Sequence, residues 1–522
     1  MKKTSILPFF LFGLFFLAGG LQSQAQTYNY LPDSTFDQNG LKSFIFFNNI
    51  NRAFGCALQP DEKLIMTGLS KNPNTGSFEL CVCRLHVNGE FDSTFSGDGR
   101  VYVSMGNQGS IGGLTPKIKL QQDGKLVIVN SGRAPGGGSQ DMMICRIDST
   151  GVLDATFNTT GVLWVDMTGA NTQPDAANAV DIDASGNIWA AGVTRTGSTP
   201  LDNDFAVVKV LPNGTLDPSF DTDGKKLFNP SGFDEFSRGI KVQTDGKIVV
   251  GGTAGSNMYL IRFDSTGVLD PTFNTTGTVN IQFQSSSEMG AMSIDNNGRI
   301  VVAGKLITSN SNVATARYLP TGLFDPTYGF NGKFFYNIGN SASVINDIHI
   351  GANNKITLGG FVRDSAQLNN FIATRVDTNG TLDLTFNGFG VVSQAVIPGA
   401  VEEEGNGLAV FADDRIMVTG TIVYSSAINE DIGVFRVKPV LVTGLQNPLA
   451  ETSIRVYPNP FTASLRVIAK SDTPAEILDI TGKLIRSVML VAGINDIDGS
   501  DLQRGMYLLR VPGERGLQIV KH

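Results

Sequence analysis

The ten residues VLDPTFNTTG, at Val268–Gly277, recur almost unchanged as VLDATFNTTG at Val152–Gly161. Shorter versions of this phrase bring the number of copies to seven, with an average spacing of about 58 residues. The copies end at Phe36, Phe95, Phe157, Phe220, Phe273, Tyr328 and Phe386. A second phrase, represented by QTDGKIVVGG at Gln243–Gly252, also occurs seven times. The sequence is therefore an array of one repeated unit, and the period of the array decides the fold.

The residues of one unit predict four short strands. In GIKVQTDGKIVVGG (Gly239–Gly252), apolar residues alternate on both sides of an Asp-Gly pair, which accepts the positive φ of a tight hairpin turn. Two further alternating stretches follow, MYLIRF (Met258–Phe263) before the repeated phrase and GTVNIQF (Gly277–Phe283) after it. Helical spacing is missing from every copy, so we expect an all-β fold.

Four-stranded units of this length are typical of propeller blades, whereas solenoid coils have periods of about 20 to 30 residues. The first copy of the phrase and the stretch after it, GLKSFIFFNN (Gly40–Asn49), precede the first hairpin, and the last unit ends after DIGVFRV (Asp431–Val437) without the phrase. Each hairpin is matched with one copy of the phrase only if the first segment completes the last unit. We therefore predict a seven-bladed β-propeller closed by its N-terminal strand, which removes exposed sheet edges.

The repeat DGKIVVGG…LIRFDSTGVLDPTFNTTG resembles the delta-60 repeat family over about residues 28 to 438. That resemblance implies a secreted bacterial propeller, spanning residues 26–438 once the leader is removed. It implies almost nothing about activity.

The N-terminus has the features of a secretory signal. Lys2 and Lys3 precede a mostly apolar stretch from Ile6 to Ala18, and Ser23-Gln24-Ala25 supplies small residues at the expected cleavage positions. We predict a signal peptide at 1–25 rather than a membrane anchor, because a span needs about 20 apolar residues, and we predict no transmembrane segment elsewhere. The net charge is −8 before cleavage. An acidic chain of this kind argues against nucleic-acid partners.

Residues 439–453 are predicted to be a linker, and residues 454–522 a small β-sandwich with alternating apolar positions. This last segment resembles the type A sorting domain of the type IX secretion system through YPNPF (457–461), ILDITGKLI (477–485), GMYLLRV (505–511) and the terminal IVKH (519–522). The resemblance implies that the secretion machinery is a partner and that the protein is released or held at the outer cell surface.

Residues shared by all seven units are predicted to be structural. The phrase aspartates are expected to accept backbone N–H groups in turns and are Asp33, Asp92, Asp154, Asp217, Asp270, Asp325 and Asp383. A basic column that can pair with them is Arg84, Arg146, Lys209, Arg262, Arg317, Arg375 and Arg436. Such pairs contribute about 0–1 kcal/mol if exposed, less than the roughly 1.5–3 kcal/mol of burying each phrase aromatic ring.

The four cysteines could form two disulfides in an exported protein. However, Cys56, Cys83 and Cys145 stand where other copies carry aliphatic residues, so we predict buried thiols. The two tryptophans, Trp164 and Trp189, lie in alternating strands and are expected in the core, although they could stack on a sugar. The three histidines lack metal-ligand spacing.

A ligand site should use residues that differ between units. Acidic residues precede the first strand of several units, where propeller connections meet around the channel mouth: Asp175, Asp234, Glu235, Glu288, Glu402, Glu403 and Glu404. Convergent carboxylates there can hold a calcium ion or sugar hydroxyls, and a pair of them can cleave a glycosidic bond. The alternative is that they are solvated acids on an acidic protein. Apart from this possible calcium ion, no cofactor is predicted.

No catalytic constellation is recognisable, which favours a binding or adhesion module, for polysaccharide or protein, over an enzyme. The alternative from another class is an extracellular glycan hydrolase or lyase with carboxylates at the channel mouth. A purely structural matrix protein is a third possibility.

Overall fold

The computed structural model describes residues 28–47, 50–108, 115–169, 173–197, 202–230, 232–308, 311–338, 342–363, 368–396, 400–424, 430–441, 454–457, 461, 463–469, 472–480, 482–511 and 517–521. The predicted signal peptide and most of the predicted linker lie outside these residues. The described residues form strands and turns, with no helix among them, so the all-β prediction is confirmed. None of this described part therefore offers a helix long and apolar enough to cross a membrane.

The strands of the repeat region follow the sequence period. The first two described strands are β1 (Tyr28–Pro32) and β2 (Leu41–Phe44). Six antiparallel sheets of four consecutive strands come next. They are β3 (Asn51–Leu58), β4 (Leu64–Lys71), β5 (Phe78–Leu85), β6 (Arg100–Ser104); β7 (Lys117–Leu120), β8 (Leu126–Gly132), β9 (Asp141–Ile147), β10 (Val162–Val165); β11 (Asp175–Ile182), β12 (Ile188–Arg195), β13 (Asn203–Val210), β14 (Lys225–Phe228); β15 (Glu235–Val242), β16 (Ile248–Ala254), β17 (Asn257–Phe263), β18 (Thr278–Ile281); β19 (Ser287–Ile294), β20 (Ile300–Leu306), β21 (Asn312–Tyr318), β22 (Lys333–Tyr336); β23 (Ser343–Ile350), β24 (Ile356–Arg363), β25 (Asn369–Val376), β26 (Val391–Gln394).

A further sheet combines the two ends of the repeat region. It contains β27 (Glu402–Val410), β28 (Ile416–Val423) and β29 (Glu430–Leu441), and both β1 and β2 pair with β29. In this pairing β2 occupies the fourth-strand position, with Leu41 opposite Phe435. β1 covers the far end of β29, with Tyr28 opposite Leu441. The N-terminal segment and the last unit therefore share one sheet.

The strands that open each sheet lie side by side at the centre of the repeat region. These first strands are β3, β7, β11, β15, β19, β23 and β27. Contacts join each of them to the next, and β27 also contacts β3. Six of the seven, all except β7, carry a β-bulge near the start of the strand. The bulge follows the third paired residue, or the fourth in β27. A bulge adds one unpaired residue and turns its side chain away from the ladder.

The hairpin between first and second strands differs in detail from the predicted turn. In the copy at Gln243–Lys247, Gln243 N donates to Lys247 O at 2.8 Å and Gly246 N donates to Gln243 O at 2.9 Å. Only Gly246, at φ +81°, has a positive φ. The connection is thus longer than the predicted two-residue turn and ends on one left-handed residue, Gly246. Asp245 does not adopt the left-handed conformation but caps the loop.

The repeated Arg, Asp and Phe side chains join each sheet to the next. Arg317 Nε lies 2.9 Å from Asp325 Oδ2, and both side chains are almost fully buried, 1% and 2% exposed. The same guanidinium donates to Thr378 O of the following unit at 2.8 Å and lies 4.6 Å from the ring centroid of Tyr328. Since these pairs are buried, the small energy expected for exposed pairs does not apply to them. Equivalent contacts to the next unit are made by Arg84, Arg146, Arg262 and Arg436.

Two units depart from this pattern: one has Lys209 in place of the arginine, and the other has different ion-pair partners. Arg375 pairs with Asp414 of the following sheet at 2.6 Å, while the phrase aspartate Asp383 pairs with Lys355 at 2.7 Å. Tyr30 of β1 donates its hydroxyl to Asp414 and accepts a hydrogen bond from Arg375 at 3.1 Å. This exception therefore ties the N-terminal strand to two sheets at once.

The C-terminal strands form two more sheets around one apolar cluster. The strands are β30 (Ile454–Tyr457), β31 (Ser464–Ala469), β32 (Thr473–Asp479), β33 (Leu484–Leu490), β34 (Gly493–Asp498), β35 (Gly505–Arg510) and β36 (Leu517–Lys521). They pair in the orders β30-β31-β34 and β33-β32-β35-β36. Phe461, Leu465, Ile477 and Leu509 are among the buried residues of the cluster between them.

The cysteines and tryptophans lie where strand alternation places them. Cys81, Cys83 and Cys145 are free and buried, and Cys56 is free and half-buried. Trp189 is 1% exposed and meets Phe220 edge to face, while Trp164 packs half-buried against the core cluster of the first two sheets. Neither indole is presented as an open sugar-stacking surface.

Candidate functional site

A channel runs between the first strands. Two cavities of about 130 Å³ and 260 Å³ lie along it and share several lining residues. The shared side chains are those of Lys117, Asn178, Arg238 and Asn346, from four different sheets. Because both cavities are bounded by the same strands, they are two sections of one channel.

The bulges supply the lining of the larger cavity. The six unpaired residues that the bulges add are Phe54, Asn178, Arg238, Gly290, Asn346 and Asn406, and all six line it. Each occupies the same place in its unit, five residues before the start of the hairpin loop. One backbone irregularity, repeated in six sheets, therefore places five side chains and one glycine along the channel.

Amides join neighbouring sheets at this level of the channel. Asn346 Nδ2 donates to Gly405 O at 2.9 Å and to Asn406 Oδ1 at 3.1 Å. Asn406 Nδ2 in turn donates to Ala53 O at 3.0 Å. These bonds fix the amide orientations, so the polar lining is preorganised.

Basic residues dominate the charge of the channel. The two cavities are lined by four cationic side chains, Lys117, Arg238, Lys241 and Lys305, and by two carboxylates, Glu288 and Asp347. The lining therefore has a net charge of +2 in a chain whose formal charge is −8. Burial lowers the pKa of Lys117, Lys241 and Arg238 from their ordinary values.

The carboxylates of the channel are occupied by other groups. Glu288 pairs with Lys305 at 2.9 Å. Asp347 accepts backbone N–H groups from Ile348 and Leu408, both at 2.8 Å. Both oxygens of the Asp347 carboxylate are thus engaged by backbone amides.

Three of the predicted acidic residues are buried in the first strands. Asp175 and Glu235 are the first residues of β11 and β15, and Glu403 is the second residue of β27. All three are at most 1% exposed. Asp175 Oδ2 accepts the N–H of Met167 at 2.9 Å, and both Glu403 oxygens accept the N–H of Val396 at 2.8 and 2.9 Å. These two side chains thus hold the connection that enters their own sheet.

The other four acids lie nearer to solvent. Asp234 precedes β15 and accepts a hydrogen bond from Asn203, and Glu288 forms the pair with Lys305 described above. Glu402 and Glu404 are partly exposed residues of β27, and burial raises the pKa of Glu404. The expectation that all seven acids precede the first strands is wrong for six of them, because pairing with the second strand extends to these positions.

The seven acids occupy different levels and surroundings. Within the described ranges, no three His, Cys, Asp or Glu side chains are grouped closely enough to hold a metal ion. Binding of calcium or sugar by these acids stays a prediction.

Asp175 provides a pH-dependent test of its structural role. Burial raises its pKa to about 6, although Thr194 and the Met167 N–H partly stabilise the ionised form. Because the folded pKa lies above the unfolded value, the stability contributed by the protonated carboxyl is present below about pH 4 and lost as pH rises through 6. We compare the free energy of unfolding of Asp175→Asn with that of the natural chain. We expect this difference to increase by on the order of 2 kcal/mol, in favour of the variant, as the pH rises from 4 to 7.

Thermal unfolding of both chains at the two pH values measures this gain. The first sheet already carries an amide at the equivalent position, where Asn51 Oδ1 accepts the N–H of Phe46 at 3.0 Å. The substitution is therefore compatible with the fold. A stability difference between the two chains that does not change with pH would contradict the assignment.

Sequence reasoning missed the residues that line the channel. Asn178 and Arg238 lie three to four residues beyond the acids that drew attention, and Asn346 lies in a unit where no acid was predicted. The sequence does contain a signal for these residues. They lie five positions before the hairpin loop in each unit, and their residue types do not follow the apolar-polar alternation of the strand.

Comparisons with known families bear on both parts of the chain. Residues 455–522 match the model of the secretion system C-terminal sorting domain. Residues 121–157, 201–220 and 243–273 match a β-propeller family described as a domain of unknown function, DUF5122. The chain thus carries a type IX sorting domain, and its destination is the medium or the outer cell surface. No curated protein sequence matches the chain.

Several solved structures align with this chain at low similarity. A virginiamycin B lyase from Staphylococcus aureus has 12% identity and a TM-score of 0.43, and the alignment covers 76% of this chain and 98% of that one. An ulvan lyase of polysaccharide lyase family PL25 has 11% identity and a TM-score of 0.45, with 75% and 95% covered. An endo-arabinase from Bacteroides thetaiotaomicron has 12% identity and a TM-score of 0.31, with 51% and 93% covered. Similarity at this level says nothing about the activity of this chain.

Proposed function

We propose that this chain is an exported seven-bladed propeller that acts as a binding or adhesion module, with its ligand held in the central channel. The sorting domain accounts for delivery to the outside of the cell. The observation that carries the binding role is the channel lining, in which six bulges place Phe54, Arg238, Gly290 and three asparagines at the same position of their units.

In this proposal the seven sheets of the repeat region are blades of a ring, and β1 and β2 close it on β29. The pairing of both strands with β29 supports closure, as does the contact between β27 and β3. The corresponding domains are a signal peptide at 1–25, the propeller at 26–438, a linker at 439–453 and the sorting domain at 454–522.

The ligand class that suits the channel is an extended polymer or a flexible protein segment. Phe54 offers an apolar surface beside the amides of Asn346 and Asn406, the combination that binds sugar rings or peptide groups. A glycan hydrolase or lyase remains the alternative. A hydrolase needs two carboxylates free to act as acid and base, and both channel carboxylates are engaged by other groups; this argument does not apply to a lyase.

A glycan and peptide array with residues 26–522 tests the binding role. We expect binding that Phe54→Ala weakens about tenfold through loss of the apolar contact. The matched control is Phe330→Ala, since Phe330 is 82% exposed outside the channel. Equal effects of both substitutions, or none from either, would contradict channel binding, and release of shortened sugars from a bound polysaccharide would favour the enzyme.

A further inference from the structure

Three basic side chains in the channel have no carboxylate partner. Lys117 donates to two backbone oxygens, Phe54 O at 3.2 Å and Asn406 O at 3.4 Å. Arg238 and Lys241 form no ion pair or hydrogen bond with any described residue. Glu288, Asp347 and Asp181 act on these cations only from beyond ion-pair distance, because Glu288 pairs with Lys305, Asp181 pairs with Lys119 and Asp347 faces backbone amides.

Elsewhere in the repeat region, buried basic residues are paired. The guanidinium groups of the repeated column meet an aspartate within 3 Å in most units, as Arg262 does with Asp270 at 2.8 Å. The channel cations differ from that column, since Arg238 is exposed to solvent, Lys117 and Lys241 are half-buried, and none of them has an ion-pair partner among the described residues. Cations that are partly desolvated and unpaired are costly, and an anion that reaches them recovers that cost.

The cations are also arranged for one ligand. Arg238 and Lys117 line both cavities, and Lys241, three residues beyond Arg238, lines the smaller one. An acidic group in either cavity therefore has both Arg238 and Lys117 among its neighbours. A planar guanidinium can bind the two oxygens of a carboxylate or sulfate together.

The neighbouring groups are neutral and suit a carbohydrate. Phe54 lines the same cavity as Arg238, Asn346 and Asn406. An apolar ring in one cavity with a guanidinium and fixed amides matches a sugar that carries an acidic substituent, since the ring stacks, the hydroxyls bond to amides and the acid pairs with the base.

We propose that the channel binds the acidic group of an anionic glycan, a uronate or a sulfated sugar, through Arg238, Lys117 and Lys241. This inference rests on the proposed binding function and specifies its ligand class. It assigns recognition to the basic channel residues instead of the seven acids.

The test is calorimetric titration of residues 26–522 at low ionic strength with trigalacturonate, its methyl ester and inorganic sulfate. We expect trigalacturonate to bind, the ester to bind at least about tenfold more weakly, and Arg238→Gln and Lys241→Gln each to lose about tenfold in affinity for the acid. Lys226→Gln is the matched control. It removes the same charge from β14, where Lys226 pairs with Asp221 at 2.9 Å, and should leave the dissociation constant within about twofold.

The possible results separate the two proposals. If acid and ester bind equally and Phe54→Ala weakens both, channel binding stands and the anionic specificity is wrong. If sulfate binds but trigalacturonate does not, the site takes free anions and the glycan assignment is wrong. If no probe binds, or if the charge variants bind like the natural chain, the inference is overturned.

Discussion

A chain that begins at Phe47 should fail to form a stable monomer. β29 would lose both of its N-terminal partners, and the segment removed contains Tyr30, Phe36 and Phe46, which are 3%, 0% and 7% exposed. Loss of one buried phenylalanine costs about 3–5 kcal/mol. Arg436 would also lose Asp33, its partner at 2.8 Å, with both side chains at most 1% exposed, and an uncompensated buried charge costs about 3–5 kcal/mol more.

The sum of these losses approaches the whole stability of a typical folded protein, about 5–15 kcal/mol. We expect the truncated chain to aggregate through the open edge of β29, as measured by size-exclusion chromatography with light scattering. A synthetic peptide of residues 28–46, added in excess, should recover monomer. Leu31→Ala is the control, since Leu31 is 48% exposed, and should remain folded. A truncated chain that stays monomeric with an unchanged melting temperature would show that the ends do not close the fold.

Arg317→Ala should destabilise the repeat region by about 3–5 kcal/mol. The substitution leaves Asp325 buried beside a cavity, with hydrogen bonds from Thr327 but only one cationic contact, from Arg299 at 3.4 Å. It also removes the hydrogen bond to Thr378 O that joins two sheets. The loss therefore acts on an interface between units as well as within one.

The midpoint of urea unfolding measures this loss. Lys226→Ala removes a more exposed ion pair and should change the stability by less than about 1 kcal/mol. An effect of Arg317→Ala as small as that of the control would mean that the arginine column is not a structural element. Burial of the aromatic residues alone would then explain why the phrase is repeated in every unit.

The repeat phrases predict the strands well because each unit must satisfy the same local rules. Alternation around Asp245-Gly246 correctly gives two antiparallel strands, and the displaced first phrase correctly indicates that the N-terminal segment joins the last sheet. These features depend on residues close in sequence or on a simple count of units. The turn type was less accessible, because the conformation of Asp245 depends on loop length as well as residue type.

The candidate site was less predictable because it depends on backbone bulges. A bulge reverses the expected direction of one side chain, so Arg238 faces the channel where alternation alone gives no such indication. Burial of Asp175, Glu235 and Glu403 was equally hidden. It depends on how the chain before each first strand passes over the start of that strand. The hydrogen bond from Met167 N to Asp175 is an example.

The most direct test of the channel as the binding site is a crystal structure of residues 26–522 with trigalacturonate. We predict ligand density between the first strands, with a carboxylate about 3 Å from the Arg238 guanidinium. Density at Glu402–Glu404 or on the outer faces of the sheets, with the channel free of ligand, would contradict the account.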